Sequence, residues 1–313
     1  MNPILDESDL FFDVESRPLI ARDGEGREYP LRSHVALFAK GTACQVGVVG
    51  QAYRAVSNRE AFEIGGRAAA ALFPGSSAGQ WEVKRVYAPS TRTFSLIDLM
   101  HRTALVNRMD VAARGPGSED DPYTPFVRVT NSFNGSRALG IDLGFMRRHC
   151  SNGMIFEERA VTIRVSHRRD DIARIGLTVS EQARDMKGLA EGFFKFLEAV
   201  RARQMDEEES TKELRQLLSM SDASDLPDSK EARLAYREFV EDVGERHERY
   251  RKELGPNAYA TFNTATDCAA RPPQSRYFRL HRDTVERRAG QWLRKMSGLE
   301  TGESVVRRGL NGR

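Results

Sequence analysis

Near residue 178 the apolar residues change their period, and that change leaves the chain few architectures to fold into. Before it, Val161-Thr162-Ile163-Arg164-Val165-Ser166 alternates strictly, which puts Val161, Ile163 and Val165 on a core side and Thr162, Arg164 and Ser166 outward. Trp81 and Val83 likewise share one face of a strand over Trp81–Tyr87, with Glu82 and Lys84 on the other. After it, Ala183, Met186, Leu189, Phe193, Leu197 and Val200 recur at helical spacing and predict an amphipathic helix over Ser180–Arg203. Strands first and helices afterwards is the α+β arrangement, an antiparallel sheet in the N-terminal half with a helical C-terminal half packed on one face or end.

Local signals place the other elements. Val35–Val49 reads as a hairpin or two short strands around Gly41, Gly47 and Gly50. Ser57 can cap a helix with Glu60 three residues on, ahead of an Ala-rich run to Leu72 that Pro74-Gly75 ends. Further strands are expected at Thr93–Leu99 and Phe126–Thr130, and further helices over Glu207–Met220, Lys230–Leu254, Asn257–Ala270 and Arg276–Met296. Three segments follow from this: an acidic arm or short hairpin over 1–30, a mixed core over 31–177 and a mostly helical region over 178–313.

Composition narrows the setting. No apolar run approaches the roughly 18 residues of a membrane span, and the acidic start MNPILDESDLFFDVE has no basic n-region, so the expected location is the cytoplasm without membrane contact. Cys44, Cys150 and Cys268 are too far apart for a CxxC pair, and neither a disulfide framework nor a metal or cofactor site is expected. The formal net charge of +3 conceals segregation. Residues 1–30 carry −5 and residues 206–255 carry −6, whereas 127–174 carry +4 and 271–313 carry +7. Segregation of this kind suits an anionic partner for the basic blocks; the alternative is internal pairing of basic with acidic blocks.

Chemistry-bearing residues are densest between Thr124 and Phe156. Asn134-Gly135-Ser136 suits a tight turn, and its backbone N–H groups could instead form an anion-binding nest. Arg128, Arg164 and His167-Arg168-Arg169 lie on outward strand positions and, with Arg137, Arg147 and Arg148, suit phosphate tracking. Phe133, Tyr123 or Phe156 could stack on bases, as in single-strand binders. Arg276, Arg279, Arg282 and Arg287 predict a basic helix face. Phosphate-loop, dinucleotide, zinc-protease and serine-hydrolase motifs are absent from the sequence.

Three stretches resemble one family, the phage- and plasmid-associated proteins grouped as domain of unknown function 932. Gly50-Gln51-Ala52-Tyr53-Arg54-Ala55-Val56-Ser57-Asn58-Arg59-Glu60-Ala61-Phe62 is similar to its tyrosine, valine, asparagine, glutamate, phenylalanine run. Asn131-Ser132-Phe133-Asn134-Gly135-Ser136 with Arg147-Arg148-His149-Cys150-Ser151-Asn152-Gly153 resembles its central core, although Phe133-Asn134 stands where the family often has His-Asp and His149 where it is usually apolar. Asn257 to Asp267 resembles its late Asn-Ala-x-Thr-Glu element. The resemblance implies a mobile-element setting and no assigned activity.

The resulting expectation is a non-catalytic nucleic-acid-binding protein of phage or plasmid type, favouring single-stranded DNA and forming a homo-oligomer. Arg128, Phe133, Asn134, Ser136, Arg137, Arg147, Arg148, Asn152 and Arg164 are its contact residues. Two alternatives stand beside it. One is an enzyme with a pocket around Asp142, His149 and Cys150, and the other is an inhibitor that offers its acidic helical half to a basic host partner.

Overall fold

Asp23 builds the first turn of the chain: its Oδ1 accepts the backbone N–H of Glu25 at 3.0 Å and of Arg27 at 2.9 Å, and Gly26 supplies the positive φ of 81° that the bend requires. This turn joins β1 (Val14–Arg22) to β2 (Glu28–Ala39), and β3 (Gln45–Gly50) adds antiparallel to the far half of β2. The computed structural model describes residues 10–73, 76–101, 123–147, 153–155, 162–168, 171–172, 186–221, 226 and 229–298. The chain forms two compact units, one of 1–104, 126–143 and 158–186, the other of 105–125, 144–157 and 187–313.

In the first unit the three-stranded sheet closes over Leu37, Val46, Val49 and Phe133. Gly47 makes that closure possible, because a Cβ there would lie 2.2 Å from the Phe133 carbonyl oxygen. Backbone cannot move aside as a side chain can, so Gly47→Ala is expected to cost about 1–3 kcal/mol. Urea denaturation measures it; an unchanged midpoint would show that the two strands are further apart than described.

Helix α1 (Asn58–Leu72) starts where capping predicts, with Ser57 Oγ accepting the Glu60 N–H at 3.1 Å. The Glu60 carboxylate, expected to complete the cap, instead takes Arg54 at 2.5 Å. Small residues (Ala61, Gly65, Ala68, Ala69) form the buried face of α1 and let it lie close on a second sheet. A Cβ at Gly65 would stand 2.2 Å from Val129 Cγ2 and 2.9 Å from Leu99 Cδ1. That sheet runs β4 (Trp81–Tyr87), β5 (Phe94–His101), β6 (Tyr123–Ser132), β7 (Leu139–Arg147), and β9 (Thr162–Val165) pairs antiparallel with the first half of β7. Ile163 and Val165 are buried and Arg164 and Ser166 exposed, as the alternation predicts. Leu139–Arg147 reads in the sequence only as a Gly-flanked segment; it is a strand buried on both faces.

The described residues of the second unit are mainly helical; its strand segments are the ends of β6 and β7 and β8 (Gly153–Ile155), which pairs with Gly144–Met146. Its helices are α2 (Met186–Ala202), α3 (Glu207–Leu217), α4 (Lys230–Leu254), α5 (Ala258–Ala270) and α6 (Arg282–Ser297). Helix α5 is the centre, buried from Ala258 through Ala269 and packed by α3, α4, α6 and β8. Its alanines permit close approach, and its buried polar side chains turn back on the helix. Asn263 Nδ2 donates to Tyr259 O at 2.9 Å and Thr264 Oγ1 to Ala260 O at 2.9 Å. Helix α6 begins at Arg282 rather than Arg276 because His281 caps it, Nδ1 accepting the Asp283 N–H at 3.2 Å. The antiparallel sheets and the mainly C-terminal helices make the fold α+β. Among the described residues no helix is long and apolar enough to cross a membrane.

Candidate functional site

The Asn134 turn is clamped from within the first unit. Tyr53 donates its hydroxyl to Ser132 O at 2.5 Å and accepts the Gly135 N–H, and burial pushes its phenol up to about 12. Asn134 Oδ1 accepts the Ser136 N–H at 3.0 Å, and Ser132 Oγ accepts the Arg137 N–H at 3.4 Å. Gly135, Ser136 and Arg137 have thus spent their N–H groups within the turn, which leaves none of the three for the alternative of an anion-binding nest. The Tyr53 ring stacks on His167 with centroids 4.6 Å apart, and His167 Nδ1 donates to Arg54 O at 3.2 Å. Burial, with the Arg54 charge adding to it, holds the His167 imidazole below its ordinary range. Deeper in, Asn131 Nδ2 donates to Val56 O and to Asn58 Oδ1, each at 2.9 Å, and Ser95 Oγ donates to the same Asn58 oxygen at 2.8 Å. The residues of the first two resembling stretches therefore tie α1 to β5 and β6.

Two expected contact residues are corrected by burial. Arg128 is 2% exposed and grips Asp98 through Nε at 2.6 Å and Nη2 at 2.8 Å. Phe133 is a core residue against Leu37, Val46 and Val49, so no base can stack on it. Tyr123, a second candidate platform, is also buried, with its hydroxyl 3.1 Å from that of Tyr259. Asn134 and Ser136 are exposed, and Arg137 is half-buried with its guanidinium 4.4 Å over the Phe94 ring. Arg164 is half-exposed and held by buried Asp142 at 2.7 Å. Arg147 ends β7; Arg148, His149, Cys150, Asn152, Phe156 and Arg169 lie outside the described residues. In the C-terminal block, Arg282 pairs with Glu286 at 2.8 Å and Arg287 with Asp283 at 3.0 Å, both within α6. These pairs fall within the basic blocks, so they fix individual arginines without cancelling the excess positive charge of those blocks.

One cluster that the sequence reading did not single out gathers exposed positive charge around a buried acid. Asp267, 1% exposed near the C-terminal end of α5, takes Arg249 Nη2 on Oδ2 at 3.0 Å and Arg271 Nε on Oδ1 at 2.7 Å. Arg246 Nη1 reaches the same carboxylate at 3.4 Å and the Arg271 carbonyl at 2.5 Å, while its other nitrogens hold Asp242 at 2.9 and 3.1 Å. Electrostatics explains the arrangement locally, since a carboxylate at a helix C-terminus opposes the dipole unless cations surround it. Within this group three guanidiniums face two carboxylates. Arg249 and Arg271 keep 54% and 57% of their side chains exposed. The neighbouring Cys268 thiol is pushed up to about 12 by burial and is not a nucleophile at neutral pH.

Comparison with known proteins adds one match. A family model described as Domain of unknown function (DUF932) covers residues 45–292. No curated protein and no solved structure matches.

Proposed function

The chain belongs to the family described as domain of unknown function DUF932, and from that premise we propose that it is a non-catalytic nucleic-acid-binding protein. The Asp267 cluster is the observation that supports this reading. A buried carboxylate holds two half-exposed guanidiniums beside each other, so less side-chain freedom is lost when they meet a phosphate. Arg164 on Asp142 repeats the device in the first unit. Burial of Phe133 and Tyr123 removes two of the three platforms on which a single-strand preference rested, and the third, Phe156, lies outside the described residues. The proposal is therefore for phosphate contacts that single strands and duplexes share, with the phage or plasmid setting part of the same proposal.

Fluorescence anisotropy of the full chain against a labelled single-stranded oligonucleotide and the matching duplex tests it. Binding should weaken with salt, and Arg249→Ala/Arg271→Ala should weaken it at least tenfold. The double variant should also lower the logarithmic salt slope by about 1.4 on a single strand, two phosphates at roughly 0.7 each. Lys230→Ala, exposed and outside the cluster, should change neither. An absence of binding at low salt, or a double variant that binds as tightly as the parent while folded by circular dichroism, removes the proposal.

A further inference from the structure

The β1–β2 hairpin outruns its own sheet. β3 pairs only with His34–Phe38, so Leu19–Arg22 and Glu28–Leu31 continue as a two-stranded ribbon with no third strand among the described residues. A ribbon of that size is marginal in water unless something covers a face. It is nonetheless well built, because Asp23 Oδ2 accepts Arg27 Nε at 3.0 Å and the Tyr29 hydroxyl at 2.9 Å. Of the five large hydrophobics exposed among the described residues, three lie on this ribbon: Tyr29 at 48% and Leu31 at 46% on one face, and Ile20 at 54% on the other. Pro18 and Pro30 each remove an edge N–H, which disfavours extension by another strand and leaves the faces as the docking surface.

The register shows what such a face fits. Leu19 lies opposite Leu31 and Ala21 opposite Tyr29, so these four share one face, and Asp23 and Arg27 close its end. Each cross-strand pair joins complementary groups: leucine to leucine, alanine to tyrosine, acid to base. A two-fold axis along the ribbon would set β1 of one copy over β2 of the other. Leu19 would then meet Leu31, the small Ala21 would receive Tyr29, and Asp23 would meet Arg27. Charge cannot favour a strongly basic or acidic partner here, since Arg17, Arg22, Arg27 and Arg32 are matched by Glu15, Asp23, Glu25 and Glu28.

We propose that this ribbon is a self-association arm, its Leu19/Leu31 face packed on the same face of a second copy of the chain. The inference does not depend on the nucleic-acid reading. The apolar face is far smaller than the roughly 1,200–2,000 Å² of a stable interface, so the dimer is weak, on the order of tens of micromolar. Sedimentation velocity of the full chain from about 5 to 200 µM should show the 35.2 kDa monomer giving way to a species of twice that mass. Leu31→Asp should weaken association at least tenfold, and Leu31→Thr, which keeps strand propensity, should weaken it less. Leu234→Asp, on the exposed face of α4, should leave it intact. A chain that stays monomeric over the whole range overturns the proposal. So does a Leu31→Thr variant, folded by circular dichroism, that dimerises as the parent does.

Discussion

Replacing Asp98 by asparagine is expected to remove about 3–5 kcal/mol of stability. Asp98 is the middle of a ladder across three neighbouring strands, opposite Arg85 on β4 and Arg128 on β6. Arg85 Nε donates to its Oδ2 at 2.7 Å, and Arg128 holds both carboxylate oxygens. Both guanidiniums also lie over the Phe126 ring, at 5.0 and 5.5 Å. Loss of that negative charge takes a counter-charge from two buried cations at once, which costs far more than the ion pairs contribute when intact. The same logic predicts that replacing all three with apolar residues of similar volume (Arg85→Leu, Asp98→Leu, Arg128→Met) restores most of the loss. Urea denaturation at pH 7 reads both; a loss below about 1 kcal/mol for the asparagine variant would show that the arginines find other partners.

The second large effect depends on pH and is centred on His247. Its Nδ1 donates to Thr264 Oγ1 at 3.2 Å, and that hydroxyl spends its own proton on Ala260 O. Nε2 is buried with no hydrogen-bond partner among the described residues. Burial first, and then the Arg251 charge one turn on, push its pKa from 6.5 down to about 4; Glu248 opposes weakly. A depressed folded-state value means that the unfolded chain binds the proton more readily. The stabilisation is therefore complete above about pH 6.5 and declines as pH falls toward 4. At pH 4.5 the loss from this one residue is roughly 2.5 kcal/mol. Carboxylates titrate in the same range, so the informative quantity is the difference between the parent and His247→Gln, which keeps a donor toward Thr264. That variant should lose about 2.5 kcal/mol less than the parent between pH 7.5 and 4.5. Parallel stability curves would rule the mechanism out.

Some of this architecture was readable from residues alone, and the reasons are local. Ser57, Ser229 and Asn257 are caps because a short polar side chain can reach a backbone N–H three residues on, whatever the tertiary surroundings. Lys230–Leu254 ends at Gly255 for an equally local reason, its positive φ of 90°. The outward face assigned to β6 failed because a strand with both faces covered has no outward side. Val129 faces α1, and Phe126 and Arg128 on the opposite face are buried too. The Asp267 cluster was hidden for a different reason. Arg246, Arg249 and Arg271 come from α4 and from the end of α5, and their convergence depends on how those helices pack rather than on spacing along the chain.

Each compact unit is assembled from three separate lengths of chain. No single truncation point can separate the two units, because their segments alternate along the chain from residue 105 to residue 186 and every cut there divides at least one of them. On the ribosome the first unit also waits for β9, so its sheet is unfinished until the chain has passed Val165. Fragments ending earlier would expose the β7 edge that β9 covers, and aggregation rather than partial function is the outcome to expect from them.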